Sequence, residues 1–311
     1  MSKVKETIKI ILVVAVLAVG VFFGVNYLLH PQNESATTTP TTTKKTTAKK
    51  TPHKAKINLV AVGDSLTEGV GDESEGGYVG QIKKTLTTKQ KLKVTTTNAG
   101  KSGDRSDQIL ARINKSKVLQ QKIAKADVIT VTVGGNDLLQ TLEGSLTSNN
   151  TAKNNATVAK AQTLYANKLT KLFNKLQSLN GTASVFVFSI YNPIYVNFPN
   201  VTSITHYISQ WNDQTQTTVS QYKHTYFMDI NWTMSHGQYK TAAQIRKLKK
   251  AASATTLTSS KAITGALETE NKTNDLISTA DNFHPNKRGY RVFTTKLYQT
   301  MMAHDAWLIK K

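Results

Sequence analysis

The stretch "INLVAVGDSLTEGVGDE", residues 57–73, decides the fold. It opens as an apolar run from Ile57 to Val62 and breaks abruptly into Gly63, Asp64 and Ser65. An apolar run this short, closed by turn-forming residues, reads as a strand buried on both faces. Its ending leaves Ser65 with two readings, a nucleophile or a polar residue in a turn.

Working outward, four more β-rich runs follow: "KVTTTNAG" (93–100), "DVITVTVGG" (127–135), "ASVFVFSI" (183–190) and "TYFMDI" (225–230). Between them lie stretches of helical spacing. The clearest is 153–179, where Val158, Ala161, Tyr165, Leu169, Leu172, Leu176 and Leu179 recur at intervals of three and four and Asn180-Gly181 closes the helix. Apolar strands alternating with helices predict an α/β fold with a central parallel five-stranded sheet covered on both faces. In such a sheet ligands bind outside the carboxyl ends of the strands. Because the first four runs end in "GDS", "NAGKSG", "GGND" and "SIYNP", Ser65, Gly100, Asn136 and Asn192 are expected at one rim.

A serine nucleophile needs a proton acceptor, and histidine titrates in the right range. Of the seven histidines only His284 has a suggestive setting, in "TADNFHPNKRGY", where Asp281 precedes it by three residues. A carboxylate there can accept the Nδ1 proton and leave Nε2 free for Ser65. Pro285 is the expected first residue of the helix that follows. An ester carbonyl under attack also needs donors for its developing oxyanion. The backbone N–H of Ser65, the backbone N–H of Gly100 and the side-chain amide of Asn136 are the candidates, and Asn192 and Tyr195 are candidates for lining the substrate pocket. Asp64 reads as a turn-holding residue and Asp137 as structural. Glu68, Asp72, Glu73 and Glu75 read as a solvated loop and not a metal site.

The blocks "GDSLTEG", "NAGKSG", "GGNDLL" and "DNFHPNKRGY" resemble, in order, those of the GDSL-type esterases and lipases, the SGNH hydrolase superfamily. The likeness spans residues 57 to about 304. It implies a flavodoxin-like three-layer α/β/α sandwich without metal or organic cofactor. Catalysis would run through Ser65, His284 and Asp281, with Ser65, Gly100 and Asn136 as oxyanion hole. The implied substrates are carboxylic esters, lipid (lysophospholipid among them) or acylated glycan; deacetylation or acyl transfer on a wall polysaccharide, or a non-catalytic binding module, are the alternatives. Residues 232–280 match none of the blocks and read as a lid or as surface helices.

The remaining features concern location. The 311-residue chain is 39% hydrophobic and has no cysteine, which excludes disulfides, thiolate catalysis and a lipoprotein anchor. After Lys3, Lys5 and Lys9 comes "IILVVAVLAVGVFFGVNYLL", residues 10–29, long enough as a helix to cross about 30 Å of hydrocarbon. The lysines in front of it predict a cytoplasmic N-terminus and an extracellular remainder, by the positive-inside tendency. A cleaved secretory signal is the alternative, for a secreted protein. Residues 1–30 are therefore read as a transmembrane anchor, 31–56 as a Thr/Lys/Pro-rich disordered linker reaching about 28 Å, and 57–311 as the hydrolase domain. Of the formal net charge of +21, residues 57–311 hold +14. With no nucleic-acid motif, that charge suits anionic wall polymers or lipid headgroups better than nucleic acid.

Overall fold

A computed structural model of the chain describes residues 52–145, 151–252 and 274–310. The opening stretch forms β1 (Lys56–Gly63), and its alternate side chains serve two cores. Val60 and Val62 pack on one face of the sheet with Ile109, Leu169 and Trp211. Ile57, Leu59 and Ala61 pack on the other with Tyr78, Ile82 and Phe293. A strand that feeds apolar side chains to both sides cannot lie at a solvated face, so helices cover both. The strands β2 (Lys93–Gly100), β3 (Val128–Val131), β4 (Ser184–Phe188) and β5 (Thr225–Met228) pair with it in the order β2-β1-β3-β4-β5, all parallel. This is the expected three-layer α/β/α sandwich. The order reverses between β1 and β3, which opens a crevice above their carboxyl ends.

Ten helices are described: α1 (Ser65–Glu68), α2 (Gly77–Gln90), α3 (Ser106–Lys115), α4 (Lys117–Ala124), α5 (Gly135–Ser145), α6 (Thr151–Leu179), α7 (Thr202–Val219), α8 (Asn231–His236), α9 (Ala242–Ala251) and α10 (Lys287–Ala303). The predicted 153–179 helix is α6, with Val158, Tyr165, Leu169, Leu172 and Leu176 buried along its stripe. Two boundaries differ from expectation. β3 stops at Val131 because Thr132 turns its hydroxyl to the β1 end, donating to Asp64 Oδ1 at 2.7 Å. Pro285 is not the first helical residue. It bridges Ile277 in an antiparallel pair, and Asn286 caps α10 by accepting from the N–H groups of Arg288 and Gly289.

Part of the unmatched 232–280 segment proves to be scaffolding for the histidine loop. The N–H of Ser278 donates to the His284 carbonyl and that of Asn286 to the Leu276 carbonyl. The apolar 10–29 segment and most of the linker lie outside the described residues; among those, no helix is long and apolar enough to cross a membrane.

Gly100 ends β2 where that strand presses on α1. A Cβ there would stand 2.1 Å from the Glu68 backbone nitrogen and 2.6 Å from the Thr67 carbonyl carbon. Backbone at that distance cannot move aside as a side chain tip can. Gly100→Ala is expected to lower stability by about 3 kcal/mol, read as a shifted urea midpoint; an unmoved midpoint would contradict this packing.

Candidate active site

The turn after β1 delivers Ser65 to the crevice. Asp64 caps α1, its Oδ1 accepting from the Leu66 N–H at 3.0 Å as well as from Thr132. Burial pushes the Asp64 carboxyl up, and the Thr132 and Leu66 bonds offset only part of that. Below it Thr67 links Thr132 and Tyr78 through hydroxyl contacts of 2.8 and 2.9 Å, and Tyr78 reaches Thr130 at 3.0 Å. This buried polar chain fixes the rotation of the α1 turn between β1 and β3. Ser65 is left 7% exposed, with its hydroxyl toward the crevice.

His284 arrives from the opposite wall. The Asp281 carboxylate accepts the backbone N–H groups of Phe283 (2.9 Å) and His284 (3.0 Å) on Oδ1, while Asn282 takes the left-handed conformation at φ 52°. That turn points the imidazole back at its own aspartate, with Nδ1 2.5 Å from Asp281 Oδ2, and at the serine, with Nε2 2.8 Å from Ser65 Oγ. A carboxylate only accepts, so Nδ1 carries the proton and Nε2 is the acceptor facing the Ser65 hydroxyl. Burial raises the Asp281 carboxyl, but the bonds from His284 and from the Phe283 amide outweigh it and hold it below the ordinary range. The structure thus brings together Ser65, His284 and Asp281, separated by up to 219 residues in the chain.

On the other side of Ser65 stand the oxyanion candidates. The Ser65 N–H has no partner among the described residues. Asn136, in the first turn of α5, gives one amide hydrogen to the Asp104 carbonyl at 3.0 Å and has no partner for the second among the described residues. Gly100 does not fill the place expected of it. Its N–H donates to Asn98 Oδ1 at 2.9 Å, and its lack of a side chain is explained by the contact with α1. Gly103, three residues on, has φ +81°, open space at its α-carbon and an N–H without a partner among the described residues, beside the Asp104 carbonyl that holds Asn136. The unpaired glycine N–H of this loop, among the described residues, is thus that of Gly103 and not that of Gly100. A left-handed glycine in "KSGD" was the available sequence signal.

Two side chains lock these loops in register. Arg112, on α3, gives Nη2 to the Gly63 carbonyl (2.9 Å), Nη1 to the Ala99 carbonyl (2.6 Å) and Nε to Asp104 Oδ2 (2.8 Å). One guanidinium so ties the ends of β1 and β2 to the loop that seats Asn136. Asp137, buried as expected of a structural residue, accepts both the N–H and the hydroxyl of Ser106.

The pocket candidates divide. Asn192 lies at the rim but its side chain is spent on Thr205 Oγ1 and the Ile194 N–H. Tyr195 turns away from Ser65 and packs its ring on His236 at 4.1 Å. The aromatic residue at the site is Tyr191, whose hydroxyl donates to the Phe283 carbonyl at 2.9 Å. Together with Ser65, Asn136, Ile190, Pro193 and Phe283 it lines a small cavity of about 40 Å³. Asp72, expected in a solvated loop, is buried and accepts from Ser74, Gln81 and the Glu75 N–H; Glu75 pairs with Lys287 at 2.9 Å. Among the described residues no group of three or more His, Asp or Glu side chains is placed to hold a metal ion.

Known proteins resemble the chain in sequence and in fold. The sequence profile of the GDSL-like lipase/acylhydrolase family matches residues 61–292. YpmR of Bacillus subtilis is 28% identical over 252 residues, 81% of this chain and 84% of that protein. The spore germination lipase LipC of Bacillus licheniformis is 42% identical over 88 residues, 28% of this chain and 41% of the lipase. Among solved structures, the lipase Lip_vut3 from a goat rumen metagenome superposes with a TM-score of 0.57 at 24% identity, over 78% of this chain and 96% of that one. A mutant of the acetylxylan esterase Axe2 from Geobacillus stearothermophilus gives 0.51 at 14% identity, over 82% and 97%.

Proposed function

The chain belongs to the GDSL-like lipase/acylhydrolase family of carboxylic-ester hydrolases, and on that premise we propose that it is a serine esterase working through an acyl-enzyme on Ser65. The observation that carries this reading is the unbroken chain of contacts from Asp281 through His284 to Ser65, at 2.5 and 2.8 Å. His284 Nε2 takes the Ser65 proton as Oγ bonds to the ester carbonyl carbon. The tetrahedral oxyanion is met by the N–H groups of Ser65 and Gly103 and the free hydrogen of the Asn136 amide. As the C–O bond breaks, imidazolium returns the proton to the leaving alkoxide; water, deprotonated by the same nitrogen, then releases the acid. Asp281 keeps the required tautomer and stabilises the imidazolium.

A nitrophenyl ester assay on the protein, with covalent labelling by a fluorophosphonate probe, tests the reading. Neither turnover nor labelling of Ser65 would leave the non-catalytic binding module instead. For the oxyanion hole, Asn136→Ala is expected to lower kcat by about 10²–10³. A smaller loss than that of Gly103→Ala, with kcat in Asn136→Ala equal to wild type, would take Asn136 out of the hole.

We further propose that residues 10–29 anchor the enzyme in the cell membrane with the catalytic domain outside. The lysine-flanked apolar run supports this, and protease accessibility on intact cells tests it. The +14 charge of residues 57–311 supports contact with anionic wall polymers or headgroups. Deacetylation of, or acyl transfer to, a wall polysaccharide would use the same residues, and product analysis on O-acetylated glycans separates it from lipid ester hydrolysis.

A further inference from the structure

The small cavity at Ser65 does not end there. Gly135, Ile190, Tyr191, Pro193 and Phe283 also line a second, larger hollow of about 290 Å³, so the two adjoin across these residues. Beyond those shared residues its walls are Leu138, Leu139 and Leu142 from α5, Ile194 from the loop after β4, and Ile204 and Ile208 from α7. Three separate elements thus present six aliphatic side chains to one groove that opens from the nucleophile.

Polar groups along it are few and mostly committed. The Asn192 side chain is held by Thr205 and Ile194, and the Asp281 carboxylate by His284 and two backbone amides. The Tyr191 hydroxyl is given to the Phe283 carbonyl, and Glu143 is exposed. A sugar chain entering here would find only the Glu143 carboxylate uncommitted among these groups, leaving most of its hydroxyls unmatched, a costly desolvation. An acetyl group would use only the small cavity and leave the groove unfilled. The groove runs from Gly135, next to Asn136, to Phe283 and Asp281 beside His284, so a chain lying in it leaves the ester carbonyl within reach of Ser65.

We infer that this groove binds the acyl chain of a lipid ester, making the enzyme selective for medium or long acyl groups over acetyl, with Leu139 as a specificity-determining residue. The inference rests on the hydrolase reading for its catalytic test, and a binding measurement frees it from that reading. For nitrophenyl esters from acetyl to octanoyl, kcat/KM of the full-length protein is expected to rise about fourfold per methylene, as when each buried CH2 contributes about 0.8 kcal/mol. Leu139 is half-buried, so Leu139→Asp can fold and is expected to cut the octanoyl-to-acetyl ratio by about tenfold or more. Leu139→Met should restore that ratio. Highest turnover on acetyl esters or on acetylated xylo-oligosaccharides, or a length dependence that follows the alcohol in a series of alkyl acetates, would overturn it.

The second arm is decanoate binding to Ser65→Ala by calorimetry. Binding that Leu139→Asp abolishes supports the groove even if no ester is turned over, in which case only the hydrolase reading fails. No decanoate binding overturns the groove whatever the ester assay gives.

Discussion

Ser65→Ala is expected to reduce kcat for a nitrophenyl ester by about 10⁴–10⁶, to the level the oxyanion donors and binding sustain alone. The alanine removes the atom that forms the acyl-enzyme and disturbs little else. The buried network that shapes the α1 turn uses Asp64, Thr67, Tyr78, Thr130 and Thr132, and the Ser65 hydroxyl bonds only His284. Its thermal midpoint should consequently stay within a few degrees of wild type, a surface-like change in stability. The same variant should lose all fluorophosphonate labelling. Residual turnover within tenfold of wild type would mean that another group attacks the ester, and the assignment of Ser65 would fall.

The strands that carry this site were legible because a strand buried on both faces must be apolar throughout and must end where the chain turns polar. His284 stood out by the aspartate three residues before it, whereas that regularity placed Ser65 and Asn136 just past strand ends, where the structure has them. It also misassigned one donor. Strand-end logic favours Gly100, the first glycine after β2, yet whether an N–H is free depends on what lies beside it. Here Asn98, two residues earlier, folds its side chain over and takes that N–H. Only the backbone angle of Gly103 and its lack of partners reveal the alternative. Asp72 illustrates the reverse case. In sequence it is one acid among four in a glycine-rich loop, but Gln81 from α2 reaches it with 3.0 Å and closes it from water. Tyr191 and Tyr195 stand four residues apart in one loop, and the packing of the Tyr195 ring on His236 of α8 leaves Tyr191 at the cavity beside Ser65. The groove was hidden for the same reason: Leu139, Ile194 and Ile208 share no period, and only the fold brings three elements to one wall.

Asp281→Asn isolates what the aspartate does. An asparagine can still accept the Phe283 and His284 amides on its oxygen, so the turn that presents the imidazole should persist. What changes is the partner of Nδ1. An amide can donate its N–H to Nδ1, which favours the tautomer with the proton on Nε2, the nitrogen that must be empty to accept from Ser65. The expected loss in kcat is about 10⁴ near neutral pH, with KM little altered. Stability should respond differently and with a defined sign. The wild-type carboxyl lies below its ordinary range, so the ionised form is favoured in the folded state. Its contribution is present above the unfolded pKa and is lost as pH falls through the folded one. The stability difference between wild type and Asp281→Asn, measured by urea unfolding, should therefore be largest above about pH 5 and shrink towards pH 3 and below, while the activity difference persists wherever the wild type is active. If kcat of the variant stays within tenfold of wild type, the short Asp281 to His284 contact orients the loop and takes no part in catalysis.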